Sequence, residues 1–179
     1  AFQNLRGVPK ILLSPSFWAN YRGKAWQTEC PFDHLVAIER DSQISELWDE
    51  ISQKVRASVV VAASSPQFSG YRRDFVDLKS RQAMDIPEQA PVWVVTNPPY
   101  GERIQSRGWD DWIRDLPDWV EGIRPSCFGI WIPEELLPRW RQALQNQTWS
   151  QPVLSTTLTN GGIRCAVQVY RPCGKVNSV

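Results

Sequence analysis

Val92-Trp93-Val94-Val95-Thr96-Asn97-Pro98-Pro99-Tyr100-Gly101-Glu102-Arg103 is the stretch that decides how this chain folds. Val92 to Val95 form an unbroken apolar run, the pattern of a strand buried on both faces of a parallel sheet. The run stops at Asn97-Pro98-Pro99. Neither proline can donate to a sheet ladder, and a residue before proline is pushed out of the helical region. Asn97, Pro98 and Tyr100 are therefore expected on a stiff loop at the carboxyl end of a strand, where open α/β sheets bind ligands.

The loop also has a chemical reading. An Asn amide carries an acceptor oxygen and two N–H donors, and the Pro98 carbonyl adds a second acceptor. Tyr100 adds a flat ring. Two acceptors suit an exocyclic NH2 group, and the ring suits stacking on a planar base or amide. Taken alone, the same residues also read as a Pro-rich surface turn after a core strand.

A longer match separates these readings. Asn97-Pro98-Pro99-Tyr100 resembles motif IV of methyltransferases that modify amino nitrogens. Thr96 to Ile104 more narrowly resembles the THUMP-associated family of RNA guanine-N2 methyltransferases, including those acting on large-subunit ribosomal RNA. Asn160-Gly161-Gly162-Ile163-Arg164-Cys165 resembles that family's C-terminal turn, Asn-Gly-x-Leu/Ile-x-Cys. This second match lies ~60 residues from the first and is independent of it.

The resemblance implies a Rossmann-like class I methyltransferase fold. That is a three-layer αβα sheet, mostly parallel, ending in an antiparallel hairpin, with residues 1–179 as one domain. It implies S-adenosylmethionine as cofactor and ribosomal RNA as partner. Asn97 and Pro98 would hold the target amine, and Tyr100 would stack on the flipped base. Arg103 would touch a phosphate, although an ion pair with Glu102 or Asp110 serves that residue as well. Glu39 would take the cofactor ribose, and Asp74, with Asp77 as its rival, would approach the adenine.

The chain departs from the family pattern in one place. The glycine-rich cofactor loop, Asp-Pro-x-Cys-Gly-Ser-Gly-Thr, has no counterpart, and no Gly-x-Gly occurs anywhere. Ala1 to Gly7 reads as the tail of a helix, as if the chain began just after that loop and were truncated at its N-terminus. In the alternative the loop has degenerated, and Lys10 to Ser14 forms a strand in place of the lost one. Either way, weak cofactor binding by this chain alone is expected, since glycine lets backbone approach the ligand.

The remaining segments read in order. Ser16 to Cys30 is an irregular aromatic segment. His34 to Asp41 is a strand ending in acids. Glu39 is its ribose candidate, and Asp41 caps a helix over Ser42 to Arg56. Ala57 to Ala63 is strongly strand-like and is broken by Ser64-Ser65-Pro66; at Phe68 to Phe75 the family has a strand followed by an Asp, and a surface loop with charge pairs is the competing reading. There Arg72 and Arg73 form a small basic pair, read as solvated. A helix spans Asp110 to Ile123, with Pro117 suggesting a kink or two short helices. Ser126 to Ile132 is a strand, and a helix starts at Pro133 and runs to about Gln145. The C-terminus reads as a hairpin with arms Val153 to Leu158 and Ile163 to Tyr170 and the turn Thr159-Asn160-Gly161-Gly162, where Asn-Gly supplies positive φ twice.

Composition sets the outer bounds. The net charge is +1, so nucleic-acid contact must come from a local patch. Cys30, Cys127, Cys165 and Cys173 show no CxxC spacing, and His34 is the single histidine, so no Cys/His metal site is expected. The cysteines read as thiols of a reducing cytoplasm. No apolar run reaches membrane length. The ten tryptophans read as packing residues. Two other functions compete: an N6-adenine DNA or glutamine methyltransferase using the same loop, and a cofactor-less or degenerate domain acting as an RNA-binding scaffold.

Overall fold

The computed structural model describes residues 11–14, 33–39, 67–98, 109–160 and 162–172. Seven strands form one sheet: β1 (Ile11–Ser14), β2 (His34–Ile38), β3 (Gln67–Tyr71), β4 (Val92–Thr96), β5 (Cys127–Pro133), β6 (Leu154–Asn160) and β7 (Ile163–Tyr170). Their order across the sheet is β3-β2-β1-β4-β5-β7-β6. The first five pair in parallel, whereas β7 runs antiparallel to both β5 and β6. The expected parallel sheet with its C-terminal hairpin is therefore present.

β4 sits between β1 and β5 and is hydrogen-bonded to both. Its even positions, Val92, Val94 and Thr96, are buried. Register carries one row across the sheet, from Val36 through Leu13 to Val94, Phe128 and Tyr170. The side chains of Val36, Val94, Phe128 and Tyr170 are all buried in one core.

Helix α1 (Trp109–Ile123) adds Trp112, Ile113, Leu116, Trp119, Val120 and Ile123 to that core. Pro117 lies within one continuous helix rather than dividing two. The ring of proline cannot complete the hydrogen bond one turn back, but the buried stripe on both sides of it holds the helix together.

Beyond β5 the chain makes a 3-10 turn, Glu134–Leu136, before α2 (Leu137–Ala143). The helix expected from Pro133 starts late because Pro138 lies in its first turn, where a missing N–H costs nothing. Trp140 of α2 and Trp149 join Phe128 and Tyr170 in an aromatic cluster with centroids 5.5–6.4 Å apart. Each such pair contributes roughly 0.5–1.5 kcal/mol beyond its burial. Four of the ten tryptophans, Trp112, Trp119, Trp140 and Trp149, are accordingly core residues.

The strand beside β2 is Gln67–Tyr71, in the stretch that read either as the family's strand before Asp74 or as a surface loop. Ser69 and Gly70 give it little intrinsic strand preference, so cross-strand pairing with β2 decides its conformation. The valine-rich run 57–63 lies outside the described residues, as do the helix expected over 42–56, the segments 1–7 and 16–30, and the Asp41 cap. In the hairpin, Asn160 stays in the strand opposite Ile163 instead of supplying a positive φ to the turn, and Gly162 carries φ of 84°. A two-residue loop that follows strand twist needs such angles, and glycine supplies them without strain.

The segment between β3 and β4 is fastened to the end of α1. Phe75 packs edge-on against Trp112 and Trp119 at 5.4 and 5.6 Å. Trp119 Nε1 donates to the Leu78 carbonyl at 2.9 Å. Buried Arg81 donates to the carbonyls of Ile123, Arg124, Glu88, Ala90 and Pro87 at 2.7–3.3 Å. One guanidinium thus caps the carboxyl end of a helix and closes the loop that leads into β4. Arg124 adopts φ of 49°, a left-handed angle that non-glycine residues avoid, and Arg81 holds its carbonyl there.

Gly122 fits the same junction. A Cβ on Gly122 would lie 2.6 Å from the Lys79 carbonyl oxygen. At an ordinary exposed helix position Gly→Ala gains about 1 kcal/mol. Here the clash is with backbone, which cannot swing away, and overpacking costs about 1–3 kcal/mol. Gly122→Ala is therefore expected to lower stability, seen as a denaturation midpoint below wild type. A higher midpoint would show that the helix end is not clamped.

Candidate active site

Parallel pairing brings the carboxyl ends of β1 to β5 to one edge of the sheet. The order reverses between β1 and β4: β2 and β3 lie on one side, β5 on the other. Such a reversal opens a crevice, because the connections leaving the two central strands diverge to opposite faces. The ladder between β1 and β4 ends at Leu13–Val94, while β5 accompanies β4 as far as Thr96–Ile130. β4 therefore runs two residues beyond its last β1 partner.

Asn97 follows β4 directly and is half-buried, and Pro98 is buried. Asn97 Oδ1 and Thr96 Oγ1 are both shielded from solvent. The strand cannot extend past this point, since Pro98 and Pro99 lack the N–H that a ladder needs. Tyr100 and Arg103, the expected stacking and phosphate residues, lie outside the described residues.

Glu39 stands at the end of β2, half-buried, and its backbone N–H donates to the Tyr71 carbonyl at 3.0 Å. Asp74 follows β3 and is half-buried; its Oδ1 accepts from the Val76 N–H at 3.3 Å, capping the 3-10 turn Phe75–Asp77. Asp77, its rival, is exposed on that turn. With strands ~4.8 Å apart, the ends of β2 and β4 lie two strands, ~10 Å, from one another, and Asp74 comes three residues beyond the end of β3. Carboxylates and Asn amide thus line one edge, in the order Asp74, Glu39, β1, Asn97. Asp74 is held firmly, because Phe75 beside it is locked between two tryptophan rings. Arg72 and Arg73 are exposed at the same edge.

The middle of the five parallel strands is Ile11–Ser14, the strand that the sequence offered as an alternative. The segment that follows it, 15–32, lies outside the described residues.

The single histidine is far from this edge. His34 opens β2 at the amino end and hydrogen-bonds Ser69 Oγ through Nε2 at 2.8 Å. Burial pushes its pKa below the ordinary value, so it stays neutral at pH 7. Among the described residues, no group of three or more His, Cys, Asp or Glu side chains is placed to hold a metal ion. No described helix is long and apolar enough to cross a membrane.

Thr96, which the motif reading gave no role, ends the strand with its hydroxyl buried beside Asn97. Its signal was a hydroxyl at the end of an otherwise apolar run, Val92 to Val95.

No family model matches the sequence, and no curated protein matches it. Solved structures do. TrmN from Thermus thermophilus superposes with a TM-score of 0.55 at 17% identity, covering 92% of this chain and 44% of that one. A predicted N6-adenine-specific DNA methylase from Listeria monocytogenes gives 0.51 at 14% identity, covering 76% of this chain and 30% of that one. SMU.1697c of Streptococcus mutans, described as a methyltransferase and crystallised with SAH, gives 0.58 at 7% identity, covering 92% and 89%. The chain therefore spans less than half of the first two proteins. Strand order, the antiparallel β7 and these superpositions agree: the chain has the Rossmann-like α/β fold of class I methyltransferases.

Proposed function

We propose that this protein transfers a methyl group from S-adenosylmethionine to an exocyclic guanine N2 of RNA, with large-subunit ribosomal RNA as the substrate class. The observation that carries the reading is Asn97-Pro98 at the carboxyl end of β4, in the crevice between β4 and β1. The THUMP-associated resemblance supplies the base and the RNA. Small RNA methyltransferase HEN1, another protein of similar fold, is in keeping with a methyltransferase reading.

The donor set suits the cofactor. A carboxylate at the end of β2, next to the central strand, is the group that takes ribose hydroxyls in this class of fold, and Glu39 occupies that place. Asp74 beside it would face the adenine. When bound, S-adenosylmethionine supplies an electrophilic methyl group. The chain's own residues orient the amine. Asn97 Oδ1 and the Pro98 carbonyl would accept its two N–H groups and aim the nitrogen lone pair. Tyr100 would stack on the base, and Arg103 would steady the backbone. This is catalysis by orientation, which needs no histidine at the site. Arg72 and Arg73 lie at the same edge, where a phosphate chain entering the crevice would pass.

A second reading has one observation behind it. The Listeria neighbour is described as an N6-adenine-specific DNA methylase, and the same two acceptors suit an adenine amine. The Gly101-Glu102-Arg103 extension and the Asn160-Gly161 turn favour guanine in RNA.

Cofactor affinity tests the missing glycine loop. Titration calorimetry of the 179-residue chain with S-adenosylmethionine is expected to give binding weaker than micromolar. Glu39→Ala should weaken it further, whereas Asn97→Ala should leave it unchanged. Micromolar binding that survives Glu39→Ala would remove Glu39 from the site.

Asn97 tests the chemistry. Asn97→Ala in the full-length protein keeps the strand and both prolines and removes one acceptor for the amine. Single-turnover transfer of labelled methyl to ribosomal RNA should fall by a factor on the order of 10² to 10³. Thermal melting should move little. A folded variant with near-normal rates would make the loop a structural turn.

A further inference from the structure

Thr96 is 1% exposed, and its Oγ1 has no hydrogen-bond partner among the described residues. Buried polar side chains are almost always paired, and an orphan in a well-packed region calls for a reason. The buried face of β4 makes this sharper. Its other members are Val92 and Val94, both fully buried and both in the apolar core. Valine has nearly the same shape as threonine and the same preference for strands. For folding alone, a third valine would serve better at 96, because it would bury no hydroxyl.

The place of the orphan gives the reason. Thr96 is the last residue of β4, past the end of the β1 ladder and immediately before Asn97-Pro98. Thr96 belongs to the strand and not to the loop that would meet the base, so its hydroxyl stands one residue behind the acceptors. It can act only through the loop that it precedes. We propose that Thr96 is a positioning residue: its hydroxyl, unsatisfied in the ligand-free protein, closes a hydrogen bond when the Asn97-Pro98 loop settles on the target base. An unmade bond in the free state and a made one in the bound state give a preference for the bound arrangement of the loop. The stability forgone in the free protein is the usual cost of a site prepared for its ligand. This role rests on the methyl-transfer reading above and deepens it.

Thr96→Val and Thr96→Ser in the full-length protein separate the alternatives. Removing an unsatisfied hydroxyl should leave the Tm of Thr96→Val at or above that of wild type. Turnover of methyl transfer to ribosomal RNA should nevertheless fall ten- to hundredfold, with KM for S-adenosylmethionine unchanged. Thr96→Ser, which keeps the hydroxyl, should recover most of the rate. A Thr96→Val protein that transfers methyl at the wild-type rate, or a Thr96→Ser protein as slow as Thr96→Val, overturns the positioning role and leaves the enzyme reading intact. A Thr96→Val Tm well below wild type also overturns it, since the hydroxyl would then be bonded in the free protein. If wild type itself transfers no methyl group, the function fails and the positioning role with it.

Discussion

Two prolines at the end of β4 set the geometry on which the rest depends. β4 is hydrogen-bonded on both sides, to β1 and to β5, and its apolar run is what a strand in that position requires. At Pro98 the ladder must end, because there is no N–H to continue it. The break falls where the order of the sheet reverses, the place where open α/β sheets bind ligands, and Asn97 follows it directly. A shift of one residue in this register would move every β4 side chain to the opposite face, placing Trp93 and Val95 in the core and Val94 outside it. The buried row from Val36 to Tyr170 makes that shift prohibitive.

What was legible in the sequence was what is decided locally. The β4 run, the amphipathic α1 and the hairpin announce themselves through periodicity and turn residues. The two acids at the ends of β2 and β3 were legible through resemblance, and the structure places Glu39 and Asp74 on the same edge as Asn97. Non-local decisions were not legible. β3 has Ser69 and Gly70 in its middle and becomes a strand only by pairing with β2. Arg81 reads in sequence as one more surface cation. It is buried because carbonyls from segments up to 43 residues away converge on its guanidinium. Thr96 was hidden for a different reason: a threonine ending a valine strand looks ordinary until its hydroxyl is found buried without a partner.

The fold divides the labour between a clamped side and an edge shaped for ligand. On the clamped side, Arg81, Trp119 and Gly122 bind the end of α1 to the segment after Asp74 and fix the approach to β4 from behind. At the edge, acceptors predominate: two half-buried carboxylates, an Asn amide and a proline carbonyl, with Arg72 and Arg73 exposed beside them. On the proposed reading, the carboxylates serve a nucleoside cofactor, the amide and carbonyl serve an amine, and the arginines serve a phosphate backbone. A near-neutral chain leaves nucleic-acid contact to such local groups rather than to a general field.

The most direct test is to identify the methylated product. The full-length protein would be incubated with ribosomal RNA lacking its native methyl groups and with S-adenosylmethionine carrying an isotopic methyl label. The RNA would then be digested to nucleosides for mass spectrometry. The account predicts label in N2-methylguanosine and in no other nucleoside. Label in N6-methyladenosine, or no label from a folded protein, would contradict it.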